Sequence, residues 1–131
     1  MNKAQKIVLW FFAISVLVLA LLFIISLNPA VNEDELPKGV IFYYGETCPH
    51  CKIVEEFMTG NNVSSKMNIT MKESFGNLVN ADELIKVGKY CKLAGKNLGA
   101  VPLIYSEGKC YLGDVESIDF LKTKLNITST Q

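Results

Sequence analysis

The sequence predicts an α/β fold: a mixed four-stranded sheet built in the order β-α-β-α-β-β-α, carried behind one N-terminal transmembrane helix. Three observations predict it. Ile7 to Leu27 is one apolar run with no charged residue and only Ser15 and Ser26 as polar interruptions. Beyond it, short β-branched and aromatic runs alternate with stretches of helical periodicity, the pattern of parallel strands joined by crossover helices. Two of the strand-like runs are separated only by Ser106-Glu107-Gly108-Lys109, which adds an antiparallel hairpin.

The anchor comes first. At about 1.5 Å per residue, a helix over Ile7–Leu27 spans a hydrocarbon core roughly 30 Å thick. A cleavable leader has a shorter apolar core and small residues before the cut; Asn28-Pro29-Ala30 is a poor cleavage site. A buried soluble helix would show a polar stripe, and none is visible. Lys3 and Lys6 precede the run, while Glu33, Asp34 and Glu35 follow it. The positive-inside rule then puts the N-terminus in the cytoplasm and everything from about residue 36 outside it. Trp10 suits the cytoplasmic interface.

The expected organisation is a cytoplasmic N-terminus over 1–6, the anchor over 7–27, a linker over 28–38 rich in Pro, Asn and acids, a domain over 39–127, and a tail over 128–131. With 131 residues there is room for one domain. The 13 basic and 13 acidic residues cancel, so charge points to neither nucleic acid nor an acidic substrate.

Within the domain, Val40-Ile41-Phe42-Tyr43-Tyr44 reads as a buried strand ended by Gly45. A helix starts at Pro49 and stops at Gly60-Asn61-Asn62, with Ile53, Val54, Phe57 and Met58 as its apolar face. Met67, Ile69 and Met71 alternate with polar residues as a second strand. Asn80 and Glu83 have capping-box spacing, and Leu84, Val87, Cys91 and Ala94 mark one face of the helix that follows, with Gly95 as its stop. Val101–Tyr105 and Cys110–Leu112 form the hairpin. Asp114 caps a last helix that turns Ile118, Leu121 and Leu125 inward.

The chemistry sits between the first strand and the first helix of this domain, at Cys48-Pro49-His50-Cys51. Two intervening residues span about one helical turn, so both sulfurs lie on one side and can bond. The first cysteine meets the unpaired N–H groups of the helix start, and with the helix dipole these stabilise a thiolate. Thiolate is the nucleophile of disulfide exchange, and a charged His50 adds to its stabilisation. Zinc and a plain structural disulfide compete with this reading. A zinc site needs two further ligands; Cys91 and Cys110 lack a second paired spacing, so no metal is expected. Cys91 and Cys110 themselves admit three readings: a structural disulfide, unpaired core thiols, or an electron relay. Asn62-Val63-Ser64, Asn68-Ile69-Thr70 and Asn126-Ile127-Thr128 are glycosylation sequons on the expected outer side, where about one would arise by chance.

Phe42 through Cys51 followed by an amphipathic helix, with Val101-Pro102 ahead of a hairpin, resembles the thioredoxin superfamily over essentially 38–126. The resemblance implies a compact thioredoxin/glutaredoxin-like fold, with Cys48 as the exposed attacking thiol and Cys51 as the buried resolving thiol. It also implies a cis Pro102 that keeps metal out, and a Val101 backbone that pairs with extended substrate. Pro49 and His50 between the cysteines, and Val101 before the proline, resemble the oxidising bacterial DsbA branch. The chain has no room for that branch's helical insertion. Phe42 stands where thioredoxins carry a buried acid, so Glu46 or Glu73 is expected to handle protons.

The resemblance implies a membrane-tethered thiol–disulfide oxidoreductase that oxidises exported thiol proteins. It would need no cofactor and would be re-oxidised by a quinone-coupled membrane protein. Two other readings stand beside it: a reductase or isomerase using the same site, and a non-catalytic binding module of a membrane complex.

Overall fold

A computed structural model describes residues 2–26 and 33–127. The chain divides into two units, Met1–Ala30 and Val31–Gln131.

The first unit is one helix, α1 (Lys3–Ser26), of 24 residues with no buried side chain. At 1.5 Å per residue it is about 36 Å long. Among the described residues it is the one helix long and apolar enough to cross a membrane. It starts four residues before the apolar run, because Lys3, Ala4, Gln5 and Lys6 are all good helix formers. Leu27 and residues 28–32 of the expected linker lie outside the described residues, as does the tail 128–131.

The second unit opens with a single 3₁₀ turn, Glu33–Glu35. Leu36, expected in the linker, is buried against Ile41, Tyr43 and Leu84. The packed domain therefore begins earlier than residue 39.

Four strands follow: β1 (Val40–Tyr44), β2 (Ile69–Glu73), β3 (Leu103–Ser106) and β4 (Lys109–Leu112). The sheet order is β2-β1-β3-β4. β1 and β2 run parallel with Val40 opposite Ile69, while β1–β3 and β3–β4 are antiparallel. β1 is covered on both faces, which explains its unbroken apolar run. Ile41 and Tyr43 face α4 (Leu78–Tyr90). Phe42 faces α2 (Pro49–Gly60) and α5 (Asp114–Leu125). A short α3 (Val63–Lys66), not foreseen from the sequence, packs Val63 into that second cluster.

Several boundaries differ from expectation, each for a local reason. The buried stripe of α2 is Cys51, Val54 and Met58, and Ile53 is exposed. The cap of α4 is Asn77, whose Oδ1 accepts the N–H groups of Val79 and Asn80. Asn80 and Glu83 thus lie inside the helix rather than at its start. The side-chain amide of Asn80 instead donates to the Glu73 carbonyl at 2.7 Å. The Glu83 carboxylate accepts from the Tyr43 hydroxyl and from Lys72 Nζ at 2.6 Å, so it satisfies a phenol buried under the helix. Burial, and then that carboxylate, push the Tyr43 hydroxyl pKa up.

α4 stops at Tyr90, before the expected Gly95. Lys92 adopts the left-handed conformation (φ 60°), Leu93 N–H bonds to Gly88 C=O, and Lys92 N–H bonds to Lys89 C=O. That is a Schellman closure, with lysine where glycine is usual. The chain then returns through a 3₁₀ turn, Gly95–Asn97, to β3. The β3–β4 hairpin closes through Glu107 (φ 50°) and Gly108 (φ 78°), both with positive φ, as a type I′ turn demands. Asp114 is the first residue of α5 rather than its cap, which is Gly113. Ser117, Phe120 and Leu121 are the residues this helix buries, while Ile118 and Leu125 are half-buried.

Cys91, at the end of α4, is bonded to Cys110 in β4 with Cα atoms 6.1 Å apart, across a sequence separation of 19. The link fastens α4 to the edge strand. Replacing both cysteines by alanine is expected to lower unfolding free energy by about 3 kcal/mol, the loop-entropy value for such a ring. Comparing urea midpoints of the oxidised parent and the double variant measures it.

Candidate active site

Two consecutive backbone events build the site. β1 ends at Tyr44, and Cys48 N–H bonds to Gly45 C=O at 3.0 Å, turning the chain sharply upward into α2. Cys48 is the N-cap of α2, with extended dihedrals (φ −81°, ψ 115°), and Pro49 occupies the first turn. The Cys48 sulfur does what an oxygen does at most N-caps: it accepts the Cys51 N–H, at 3.4 Å.

The second half of the site arrives from far along the chain. Cys48 Sγ–H points to the Val101 carbonyl at 3.8 Å. The Val101–Pro102 peptide is cis. Pro102 C=O accepts Gly113 N–H at 2.8 Å, which ties this loop to the start of α5. The Asp114 carboxylate at that start lies 3.3 Å from His50 Nδ1. His50 holds the Asp114 carboxyl below the usual carboxylate range, chiefly through this hydrogen bond.

Cys48 and Cys51 are free thiols with different surroundings. Cys48 keeps 9% of its surface exposed, whereas Cys51 has none. Burial first, then the hydrogen bond with Cys48, push the Cys51 thiol up to about 12. Both thiols are buried, so Cys48 is not the exposed thiol that the resemblance implies; it is the shallower of the two, and Cys51 lies deeper.

The rim includes Phe75. Ser74 N–H bonds to Tyr44 C=O at 2.8 Å, bringing the loop after β2 beside the end of β1. The Phe75 ring lies against Gly45 so closely that a Cβ there would meet it at 2.4 Å. Glu73 is occupied in closing the same loop: its two carboxylate oxygens accept the Phe75 and Gly76 N–H groups at 2.8 and 2.9 Å. Those two bonds, Phe75 first, hold the Glu73 carboxyl low. Glu46 is exposed, and Phe42 lies in the core beneath α2.

Of the residues singled out from sequence, Cys48, Pro49, His50, Cys51, Val101 and Pro102 come together here. Cys91 and Cys110 are bonded to each other. Asn62, Asn68 and Asn126 are exposed and belong to other parts of the domain. Sequence reading missed Asp114 as the partner of His50, since 64 positions separate them and no local pattern joins them. It also missed Phe75, which carries no motif. Among the described residues, no three or more His, Cys, Asp or Glu side chains are placed to hold a metal ion. Compared with known proteins, the chain matches no family model and no curated protein sequence.

Burial and the raised pKa of Cys51 lead to a single expectation. In the reduced protein, iodoacetamide should modify Cys48 and spare Cys51 at pH 7 to 9, read by peptide mass spectrometry. An unfolded thiol ionises near 8.5, the folded one near 12. The stabilisation from keeping Cys51 protonated is therefore present below pH 8.5 and lost as pH rises toward 12. Cys51→Ala should flatten that alkaline loss in denaturation curves.

Proposed function

We propose that this protein is a membrane-tethered thiol–disulfide oxidoreductase of the thioredoxin superfamily, with α1 as a single-pass anchor, the N-terminus cytoplasmic and the α/β domain outside. Its substrates are exported proteins, and it acts as their oxidant. One observation carries the reading: the Cys48 sulfur caps a helix, between the Cys51 N–H and the carbonyl that precedes Pro102, with a second thiol buried behind it.

The chemistry follows from that arrangement. With Cys48 and Cys51 oxidised, a substrate thiolate attacks Cys48 Sγ, the sulfur of the less buried cysteine. The Cys48–Cys51 bond breaks, and Cys51 leaves with the electron pair and takes up a proton. A second substrate thiolate then attacks the mixed disulfide at the substrate sulfur and releases Cys48. The substrate loses two electrons and gains one disulfide; the enzyme leaves as the dithiol. Cys51, the deeper thiol, competes with that second substrate thiolate by attacking Cys48 in the mixed disulfide, which restores the Cys48–Cys51 bond and returns the substrate thiol. Re-oxidation falls to an electron acceptor in the membrane, for which a quinone-coupled protein has the right chemistry.

Equilibration with glutathione buffers tests the direction. A potential near −120 mV supports an oxidant, and one near −270 mV makes the protein a reductase. Cys48→Ser should abolish peptide thiol exchange; full biological function in that variant would instead support a binding module. Cys51→Ala should accumulate substrates trapped on Cys48.

Asp114 gives a finer test of the site. Its carboxylate lies 3.3 Å from His50, within the dipeptide between the cysteines, and negative charge there opposes a thiolate. Asp114→Asn should favour the dithiol several-fold in the glutathione equilibrium, at about 30 mV per tenfold change. The shift should shrink in a His50→Ala background, since the two side chains act as a pair.

A further inference from the structure

We infer that Asn62, Asn68 and Asn126 carry N-linked glycans and together make a sugar-bearing pole at the end of the domain opposite the dithiol. The inference rests on the export reading above.

Topology puts the three residues at one end. β1 and β2 are parallel, and the dithiol lies beyond the last residue of β1. Asn68 immediately precedes Ile69, which pairs with Val40, the first residue of β1. It is therefore a strand length from the site, about 16 Å for five residues. α2 leaves the site at Cys48 and runs 12 residues, about 18 Å, before Asn62. α5 leaves it at Asp114, beside His50, and runs 12 residues to Asn126. α5 packs against both α2 and α3, so Asn62 and Asn126 end on the same side. The chain enters β1 at this end too.

The acceptor groups are in the state that transfer requires. Asn62, Asn68 and Asn126 are all exposed. Among the described residues their side-chain amides make no hydrogen bond. Three asparagines without the sequon are used differently, while Asn97 is exposed and makes no side-chain hydrogen bond among the described residues. Asn77 caps α4, Asn80 holds the Glu73 carbonyl, and Asn61 holds the Phe57 carbonyl. The left-handed backbone of Asn62 (φ 50°) and Asn126 (φ 52°) accounts for asparagine at those positions. It does not account for a hydroxyl two residues later. The Ser64 and Thr70 hydroxyls are exposed and make no hydrogen bond among the described residues; Thr128 lies outside them.

In the transfer, the asparagine amide nitrogen attacks C1 of a sugar on a lipid-pyrophosphate-linked oligosaccharide. A C–N bond forms, the C–O bond to pyrophosphate breaks, the amide loses one proton, and lipid pyrophosphate leaves. No electrons are exchanged. A pole so modified leaves Cys48 accessible to polypeptide substrates.

The test is expression of the full chain in membranes that contain an oligosaccharyl transferase, with a control sequon on a flexible extension after Gln131. Three glycosidase-sensitive mobility steps beyond the control are expected. Ser64→Ala, Thr70→Ala and Thr128→Ala should each remove one step; these variants leave the left-handed asparagines in place. Thiol exchange should proceed at the same rate before and after glycosidase treatment. A modified control with unmodified native sites overturns the inference and leaves export standing. An unmodified control overturns both. Glycans that slow exchange tenfold overturn the separation of the two poles.

Discussion

The arrangement of this domain depends on one constraint: the first atom able to cap α2 is a sulfur. Helix starts leave N–H groups without partners, and an oxygen of Ser, Thr, Asp or Asn usually answers them. Here Cys48 answers, and its sulfur is held in place by Cys51 N–H on one side and faces the Val101 carbonyl on the other. A thiol in that position is a structural cap and, in the proposed function, also the reacting group. The turn that places it, from Gly45 to Cys48, and the proline that follows it serve both purposes.

Three long helices share this orientation. α2 begins at Cys48, α5 begins beside His50, and the loop before α4 is bonded to the end of β1. All three therefore present their N-termini at the same end of the sheet, where their dipoles favour negative charge. Asp114 and Glu116 in the first turn of α5 already exploit that field, and Lys122 and Lys124 in its last turn complement the other end. Cys48 sits among these helix starts, and the Asp114 carboxylate at one of them meets His50.

The two thiols are separated by depth rather than by chemistry. Cys51 belongs to the same buried stripe as Val54 and Met58. Its position in the core is what keeps its proton on. The other pair, Cys91 and Cys110, links α4 to the outer strand on the opposite face of the sheet. Each cysteine pair thus follows from the layer it belongs to: one at a helix start, the other across a helix and an edge.

Much of this was legible along the chain. The apolar run of α1, the doubly buried β1, the proline-led start of α2 and the Glu107-Gly108 hairpin follow from composition and spacing, because each is a contest between neighbours in sequence. The proximity of Cys48 and Cys51 is equally local, since one helical turn fixes it. Other features needed the folded chain. Asn77 rather than Asn80 caps α4 because Asn80 is drawn to the Glu73 carbonyl. Lys92 ends that helix in a conformation no lysine advertises. Leu36 joins the core because a sheet face needs covering. Sequence by itself determined an anchor-like helix, the strand and helix order, and the dithiol motif. Val101 was expected at that motif through the resemblance; only tertiary structure decided that Asp114 meets it, and which of three readings holds for Cys91 and Cys110, which bond each other. Contacts across tens of residues depend on how layers pack, and periodicity carries no record of that.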